Sequence, residues 1–245
     1  MSLKSDLSKA ALALKRGRVA ALTGAGISTE SGIPDFRSRG GLWERFAPEE
    51  YATIEAFYRD PAKVWRMLEA MEKLLSSANP NDAHKALATL EERKLLDGII
   101  TQNVDMLHQA AGSRRVIEFH GSSSAYTCLW CDARYSREEA EGRGNPPLCR
   151  CGRHLKPDVV FFGEGIPPEA MSMADQLAKS CKAMLVVGTS AEVYPANQMP
   201  HIASRSGATI IEINLEPTHL TSSITDIFLQ GSAGEVMGAL VEALS

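Results

Sequence analysis

Val19-Ala20-Ala21-Leu22-Thr23-Gly24-Ala25-Gly26-Ile27-Ser28 runs from a short apolar stretch straight into a glycine turn. A buried strand feeding such a turn is where a Rossmann-type fold sets a helix N-terminus against a pyrophosphate. By itself the pattern is weak. A G-x-G after a strand serves as readily as an ordinary tight turn, and the third glycine of the usual fingerprint is absent. The surrounding chain has to decide.

Outward from that turn, β-rich runs recur at residues 19–22, 98–101, 116–119, 184–187, 210–213 and 227–229, most of them followed by helical patterns. Asn81 and Asp82 offer an N-cap for a helix ending at Glu92, and Ser232 with Glu235 forms the S-x-x-E pattern before a last helix. Strand and helix in turn predict an α/β fold with a doubly wound, parallel, Rossmann-type sheet. Two stretches break the rhythm. Residues 34–75 hold Pro34, Gly40, Gly41 and Pro48, then Val64, Met67, Leu68, Met71, Leu74 and Leu75 at near-helical spacing. Residues 121–157 hold four cysteines among Gly142, Gly144, Pro146 and Pro147, without sustained periodicity. The expectation is a core of residues 1–33, 76–120 and 158–245, with a smaller inserted lobe made of a helical module (34–75) and a zinc-binding module (121–157).

Composition narrows the function classes. With 245 residues and 44% hydrophobic content the chain can bury a real core. A formal charge of -4 leaves no basic surplus for neutralising phosphates, so direct nucleic-acid binding is not expected. The sequence lacks an apolar run of the roughly 20 residues that span a bilayer and a signal-peptide pattern at its start, so no membrane partner and a cytoplasmic location are expected. Five cysteines suit a disulfide framework poorly. Cys128-x-x-Cys131 and Cys149-x-Cys151, with 17 residues between the pairs, instead give four thiolates in two knuckles. That donor set suits one tetrahedral, structural Zn2+ with no open position. Cys181 reads as a small buried side chain.

Chemistry-bearing residues gather just after the strands, where open α/β sheets bind ligands. Asn103 and Asp105 follow the run at 98–101. His120, with Gly121 permitting a sharp exit, follows the run at 116–119, a position suited to general-base work. His84, His108, His154, His201 and His219 read as surface or structural. Asp35-Phe36-Arg37 places a carboxylate, a ring and a guanidinium soon after the glycine turn, able to hold an amide ring and a phosphate, or else to cap a helix and bury a phenyl group. Gly188-Thr189-Ser190 and Asn214-Leu215-Glu216 close two further strands with groups suited to ribose and adenine, although each could be an ordinary loop.

Taken in order, these pieces resemble the sirtuin family: GAGIS at 24–28, PDFR at 34–37, TQNVD at 101–105, HG at 120–121, the cysteine knuckles, KPDVVFFGE at 156–164, GTS at 188–190 and INLE at 213–216. The resemblance spans residues 20–233. It implies a Rossmann lobe beside a smaller lobe of helices and zinc, with NAD as co-substrate and an acetylated protein or peptide as partner, entering the cleft from opposite sides. It implies an NAD site of Gly24, Ala25, Ser28, Asp35, Phe36, Arg37, Gln102, Asn103, Asp105, His120, Gly188, Thr189, Ser190, Asn214, Leu215, Glu216 and Ser232. His120, as base, and Asn103 are the implied catalytic residues, and Asn103 with Asp105 holds nicotinamide and its ribose. Val159, Val160, Phe161, Phe162 and Gly163 are the implied lysine tunnel and peptide-pairing strand, as in β-augmentation, with Glu164 and Val193 at its rim.

The implied activity is removal of acetyl groups from protein lysines, releasing nicotinamide and O-acetyl-ADP-ribose; a monomer is expected. Family members that remove negatively charged acyl groups resemble one another in a Tyr-x-x-Arg over the tunnel; here Leu68 and Met71 fall there, which predicts acetyl or longer apolar acyl groups. One departure is the second knuckle, a residue shorter than the usual C-x-x-C. Glu192 either favours basic residues beside the target lysine or is a solvated charge. The alternatives are a protein ADP-ribosyltransferase sharing the NAD half, a deacylase preferring longer apolar acyl groups, a zinc-stabilised NAD-binding module without catalysis, and a hydride-transferring dehydrogenase. The last leaves the zinc knuckles and the KPDVVFFGE segment without purpose.

Overall fold

The computed structural model describes residues 3–36 and 40–244, with Leu3 described in its backbone only. In chain order the strands are β1 (Val19–Thr23), β2 (Leu96–Thr101), β3 (Val116–Glu118), β4 (Gly121–Thr127), β5 (Arg134–Ser136), β6 (Lys156–Val159), β7 (Ala183–Val187), β8 (Thr209–Asn214) and β9 (Ile227–Gln230). The α-helices are α1 (Leu3–Leu14), α2 (Leu42–Arg45), α3 (Pro48–Tyr51), α4 (Ile54–Arg59), α5 (Pro61–Ser77), α6 (Asp82–Glu92), α7 (Leu107–Ala110), α8 (Arg137–Glu141), α9 (Pro168–Ser180), α10 (Gln198–Arg205) and α11 (Ala233–Glu242). They form two units. Unit 1 comprises residues 1–35, 78–119 and 168–245; unit 2 comprises 36–77 and 120–167.

Unit 1 is built on a six-stranded sheet in the order β3-β2-β1-β7-β8-β9, every pair parallel. All six strands expected from the sequence are present, each within two residues of its expected ends. Every residue of β1 and of β7 is buried, as expected of central parallel strands covered on both faces. On one face Val19, Ala21, Ile99, Leu185 and Ile211 pack with Ala10 and Leu14 of α1, Leu87 and Leu90 of α6, and Val236 and Leu240 of α11. Helices α9 and α10 pack against other parts of the sheet, α9 on β2 and β3, α10 on β7 and β8.

Two helix starts follow the sequence signals. Asn81 Oδ1 accepts from the backbone N–H of Ala83 (3.0 Å) and of His84 (3.3 Å), and the His84 side chain answers the Asn81 N–H, closing a capping box with histidine where glutamate is usual. Ser232 Oγ accepts from Glu235 N at the start of α11, and Glu30 accepts from Ser232 Oγ and from Gly234 N (2.6 Å). That carboxylate sits where the helix dipole favours negative charge.

Unit 2 combines the short helices α2 to α4 and the longer α5 with a three-stranded antiparallel sheet, β5-β4-β6. Trp65 of α5 stacks on Tyr126 of β4 and donates Nε1–H to Leu155 O at 2.9 Å, so the helical segment and the cysteine segment share one core with Phe57, Tyr135 and Phe161. Unit 2 holds one feature the sequence did not display and calls for one correction. The cysteine segment contains regular strands; β4 (GSSSAYT) is polar and mostly half-exposed, so it carries no alternation to read. Residues 158–167, expected in the larger lobe, cluster with unit 2, because β6 pairs with β4 and Phe161 lies in the unit 2 core.

Candidate functional site

In unit 1 the strand order runs 3-2-1 to one side of β1 and 7-8-9 to the other, so the carboxyl ends of β1 and β7 flank the switch point at which doubly wound sheets bind dinucleotides. Gly24 follows β1 and Gly188 follows β7. The two turns touch backbone to backbone: Gly26 N donates to Gly188 O at 2.8 Å, and a Cβ on Gly188 would stand 2.3 Å from Ile27 N. The glycines therefore serve the packing of one loop on the other. The turn continues as a 3-10 helix, Ala25–Ser31, in place of the α-helix of the common fingerprint.

Hydrogen bonds join the expected residues from four strand ends. Asn103 Nδ2 donates to Gly24 O and to Ser28 Oγ, each at 3.1 Å, and Ser28 Oγ donates to Asp105 Oδ2 at 2.7 Å. Asp105 Oδ1 accepts from Leu107 N at 3.0 Å, so both oxygens are engaged. Gln102 Nε2 donates to Thr189 Oγ1 at 3.0 Å, and Asn214 Nδ2 to Thr189 O at 3.1 Å. Leu215 and Glu216 are exposed beyond them, while Ser190 and Val193 are half-buried. The Ser232 hydroxyl is occupied in capping α11. Ala25 opens the 3-10 helix and Asp35 closes this stretch of unit 1, half-buried.

Beneath Ser28 lies a pair that sequence reasoning passed over. His84 is fully buried, with Nε2 3.5 Å from Ser28 Oγ; its ring meets that of His108, centroids 4.9 Å apart. His108 Nε2 is 2.9 Å from Thr23 Oγ1. Burial pushes the pKa of His108 down to about 3, with the neighbouring imidazole a smaller cause. His84 is lowered by burial and partly restored by Asp105. Both rings are therefore neutral near pH 7. The signal available for His84 was its position three residues after the Asn81 cap; His108 had none.

In unit 2, the residue after His120 is Gly121, at φ +74, where a Cβ would strike Asp158 O at 2.1 Å. Only glycine allows β4 to start beside β6 there. His120 itself is half-buried, and its carbonyl accepts from Val160 N at 2.8 Å. Phe162 N donates to Ala52 O and Phe162 O accepts from Ile54 N. Val159 and Val160 are half-buried and Gly163 exposed. Phe161 faces the core while Phe162 is 43% exposed, 6.3 Å from the Trp43 ring. Glu164 Oε2 accepts from Phe161 N at 2.8 Å. Phe36 packs on Trp43 at 4.8 Å; Arg37 lies outside the described residues.

The four knuckle cysteines converge, their sulfurs all within 4.8 Å of one another, with Cys128 to Cys151 and Cys131 to Cys149 each at 3.5 Å. Four sulfurs at tetrahedral zinc distance stand roughly 3.8 Å apart, so this donor set fits one structural zinc. The short second knuckle is accommodated by a turn in which Cys149 N donates to Arg153 O and Gly152, at φ +82, donates to Cys149 O. Tyr135 Oη lies 3.3 Å from Cys149 Sγ, a contact to one of the ligands from β5.

A sequence model of the Sir2 family matches residues 24–195. The chain is 52% identical over 221 residues to NAD-dependent protein deacylase 2 of Pyrobaculum aerophilum, covering 90% of this chain and 88% of the relative. Among solved structures, a Sir2 homolog–NAD complex is 44% identical with a TM-score of 0.87, covering 97% of this chain and 94% of that one. Sir2Af2 bound to a myristoylated histone peptide is 40% identical with a TM-score of 0.83, covering 98% and 97%. The Rossmann-type unit and the four-cysteine cluster fit NAD as co-substrate and one structural zinc.

Proposed function

Because the chain belongs to the Sir2 family, we propose that it removes acyl groups from protein lysines in an NAD-dependent reaction, with acetyl-lysine peptides as substrates. The observation that carries this reading is the set of polar side chains at the strand ends of unit 1, in which Asn103, Ser28 and Asp105 hold one another in fixed orientation. Bound NAD supplies an activated ribosyl carbon that can take the acyl oxygen as nicotinamide leaves. This chain's part is chiefly positioning. Asn103 and Asp105 orient the nicotinamide and its ribose, and Ser28, bonded to both, keeps them in register. Gln102, Thr189 and Asn214 order the loops that hold the rest of the dinucleotide. His120 would accept a proton from a ribose hydroxyl at its imidazole nitrogen, freeing that oxygen to bond the acyl carbon, and with water added the bond to the lysine nitrogen would break to give free lysine and O-acyl-ADP-ribose.

Acyl choice follows from α5, where Leu68 and Met71 are half-buried and Leu68 packs against the unit 2 core. Neither offers a cation, so a succinyl carboxylate would be desolvated without a partner. Apolar chains longer than acetyl are accepted as well, a reading favoured by the relative solved with a myristoylated peptide.

The test is to incubate the protein with an acetyl-lysine peptide, with and without NAD, following peptide mass and free nicotinamide. Loss of acetyl matched by nicotinamide release, and at least 100-fold slower in His120→Ala, is expected from removing a general base. ADP-ribose appearing on protein with acetyl untouched would move the assignment to a transferase. On matched peptides acetyl should be removed at least about tenfold faster than succinyl; equal rates would defeat the account of α5.

A further inference from the structure

Lys156 opens β6 between Leu155 and Pro157 and is only 5% exposed. Desolvating an ammonium is expensive unless every proton finds an acceptor. This one has three donors and three acceptors: Pro157 O at 3.1 Å, Val159 O at 2.7 Å and Glu164 Oε2 at 2.9 Å. Nζ also stands 4.4 Å over the Phe161 ring, and Glu164 Oε2 accepts the Phe161 N–H. All these partners lie between residues 157 and 164. The segment is wound around its own first side chain. The winding turns Phe161 into the core, which leaves Phe162 facing outward with its backbone bonded to Ala52 and Ile54.

We propose that Lys156 is a positioning residue for the acyl-lysine peptide: its ammonium fixes the shape of residues 159–163, and its pairing with Glu164 withdraws that carboxylate from recognition of the residues flanking the target lysine. The inference rests on the deacylase reading of this segment. It revises the expectation that Glu164 stands at the rim as a peptide contact, since Glu164 Oε2 takes both the Lys156 ammonium and the Phe161 N–H.

Three variants of the full zinc-loaded chain test it, with KM measured separately for acetyl-lysine peptide and NAD, peptide binding by calorimetry, and zinc content as a check on folding. Lys156→Met should raise the peptide KM at least tenfold and weaken peptide binding to match, with the NAD KM within twofold and one zinc retained. Lys156→Arg should not restore it, because a planar guanidinium cannot place three protons on this set of acceptors. Glu164→Gln should leave the ratio of rates on acidic-flanked and basic-flanked peptides within twofold of the parent. An unchanged peptide KM in zinc-loaded Lys156→Met overturns the inference, as does a several-fold change of that ratio in Glu164→Gln, which decides the matter if Lys156→Met fails to hold zinc. Absence of acyl removal by the parent protein defeats the deacylase reading, and calorimetry on the variants then still reads peptide binding.

Discussion

Gly188 carries two demands at once, a left-handed φ of +59 and a backbone neighbour 2.3 Å from where a Cβ would sit. A left-handed alanine costs about 1–2 kcal/mol before any clash. Gly188→Ala is expected to lower the melting temperature by about 5 °C or more, and to weaken NAD binding because Thr189 moves with it. A melting point within a degree of the parent would show that the loops separate freely. His108 sets a pH dependence. Its folded pKa, near 3, lies below the ordinary histidine value, so the unfolded chain binds the extra proton between about pH 6.5 and 3. Its contribution to stability is complete above pH 6.5 and is lost as pH falls toward 3. His84 shifts the same way. The melting temperature should therefore fall with acidification below pH 6.5, with a shallower slope in His108→Gln; identical slopes would contradict it. Position after a strand drew attention to Asn103 and Asp105, which hydrogen bonds through Ser28 join, whereas His84 and His108 lie inside helices α6 and α7 and gave no such sign.

Asn81 joins two elements. Its Oδ1 caps α6, and its Nδ2 donates to Ile27 O at 2.7 Å and to Ser31 Oγ, binding the helix to the 3-10 turn that follows Gly24. Loss of a cap costs about 1 kcal/mol, up to about 2. Asn81→Ala should therefore lower the melting temperature by about 2–8 °C and loosen NAD affinity. Asn81→Asp keeps the cap but loses the donor, so it should recover most of the stability and little of the affinity, as calorimetric titration would show. If both variants bind NAD like the parent, the tie to the 3-10 turn has no functional weight. Legibility at this scale follows burial. The parallel strands of unit 1, covered on both faces, read as plain apolar runs, and the caps of α6 and α11 were readable from Asn81 and Ser232. In unit 2, β4 and β5 are short and polar; their order depends on packing against α5 and on the cysteine turns, which local sequence does not express.

Each unit is assembled from separated stretches of chain, so each has its own core and its own ligand chemistry. Removing zinc should act on unit 2 first, since the four cysteines tie the turn after β4 to the one before β6. Cys131→Ser is expected to lose the single zinc per chain and deacylation with it, while NAD still binds with affinity within about fivefold of the parent, because all its expected contacts but Phe36, Arg37 and His120 lie in unit 1. Metal analysis and calorimetry decide this; equal loss of NAD binding would make the zinc essential to the whole molecule. The division into a sheet-based unit and an inserted unit was legible from where the helical rhythm broke. The boundary at residue 168 was not, because the pairing of β6 with β4, which draws the segment into unit 2, is a long-range contact that local sequence does not express.

In the main sheet Val19 lies beside Ala183, and α1 packs against β9, the last strand of all. A ribosome adding about 5–20 residues per second needs roughly 10–30 s to travel from one side of the β1–β7 pair to the other. All of unit 2, including its four thiolates, is synthesised by Pro167, before β7 begins. The inserted piece can thus capture its metal and close while β1 still presents an open apolar edge, the part of the nascent chain most in need of a chaperone.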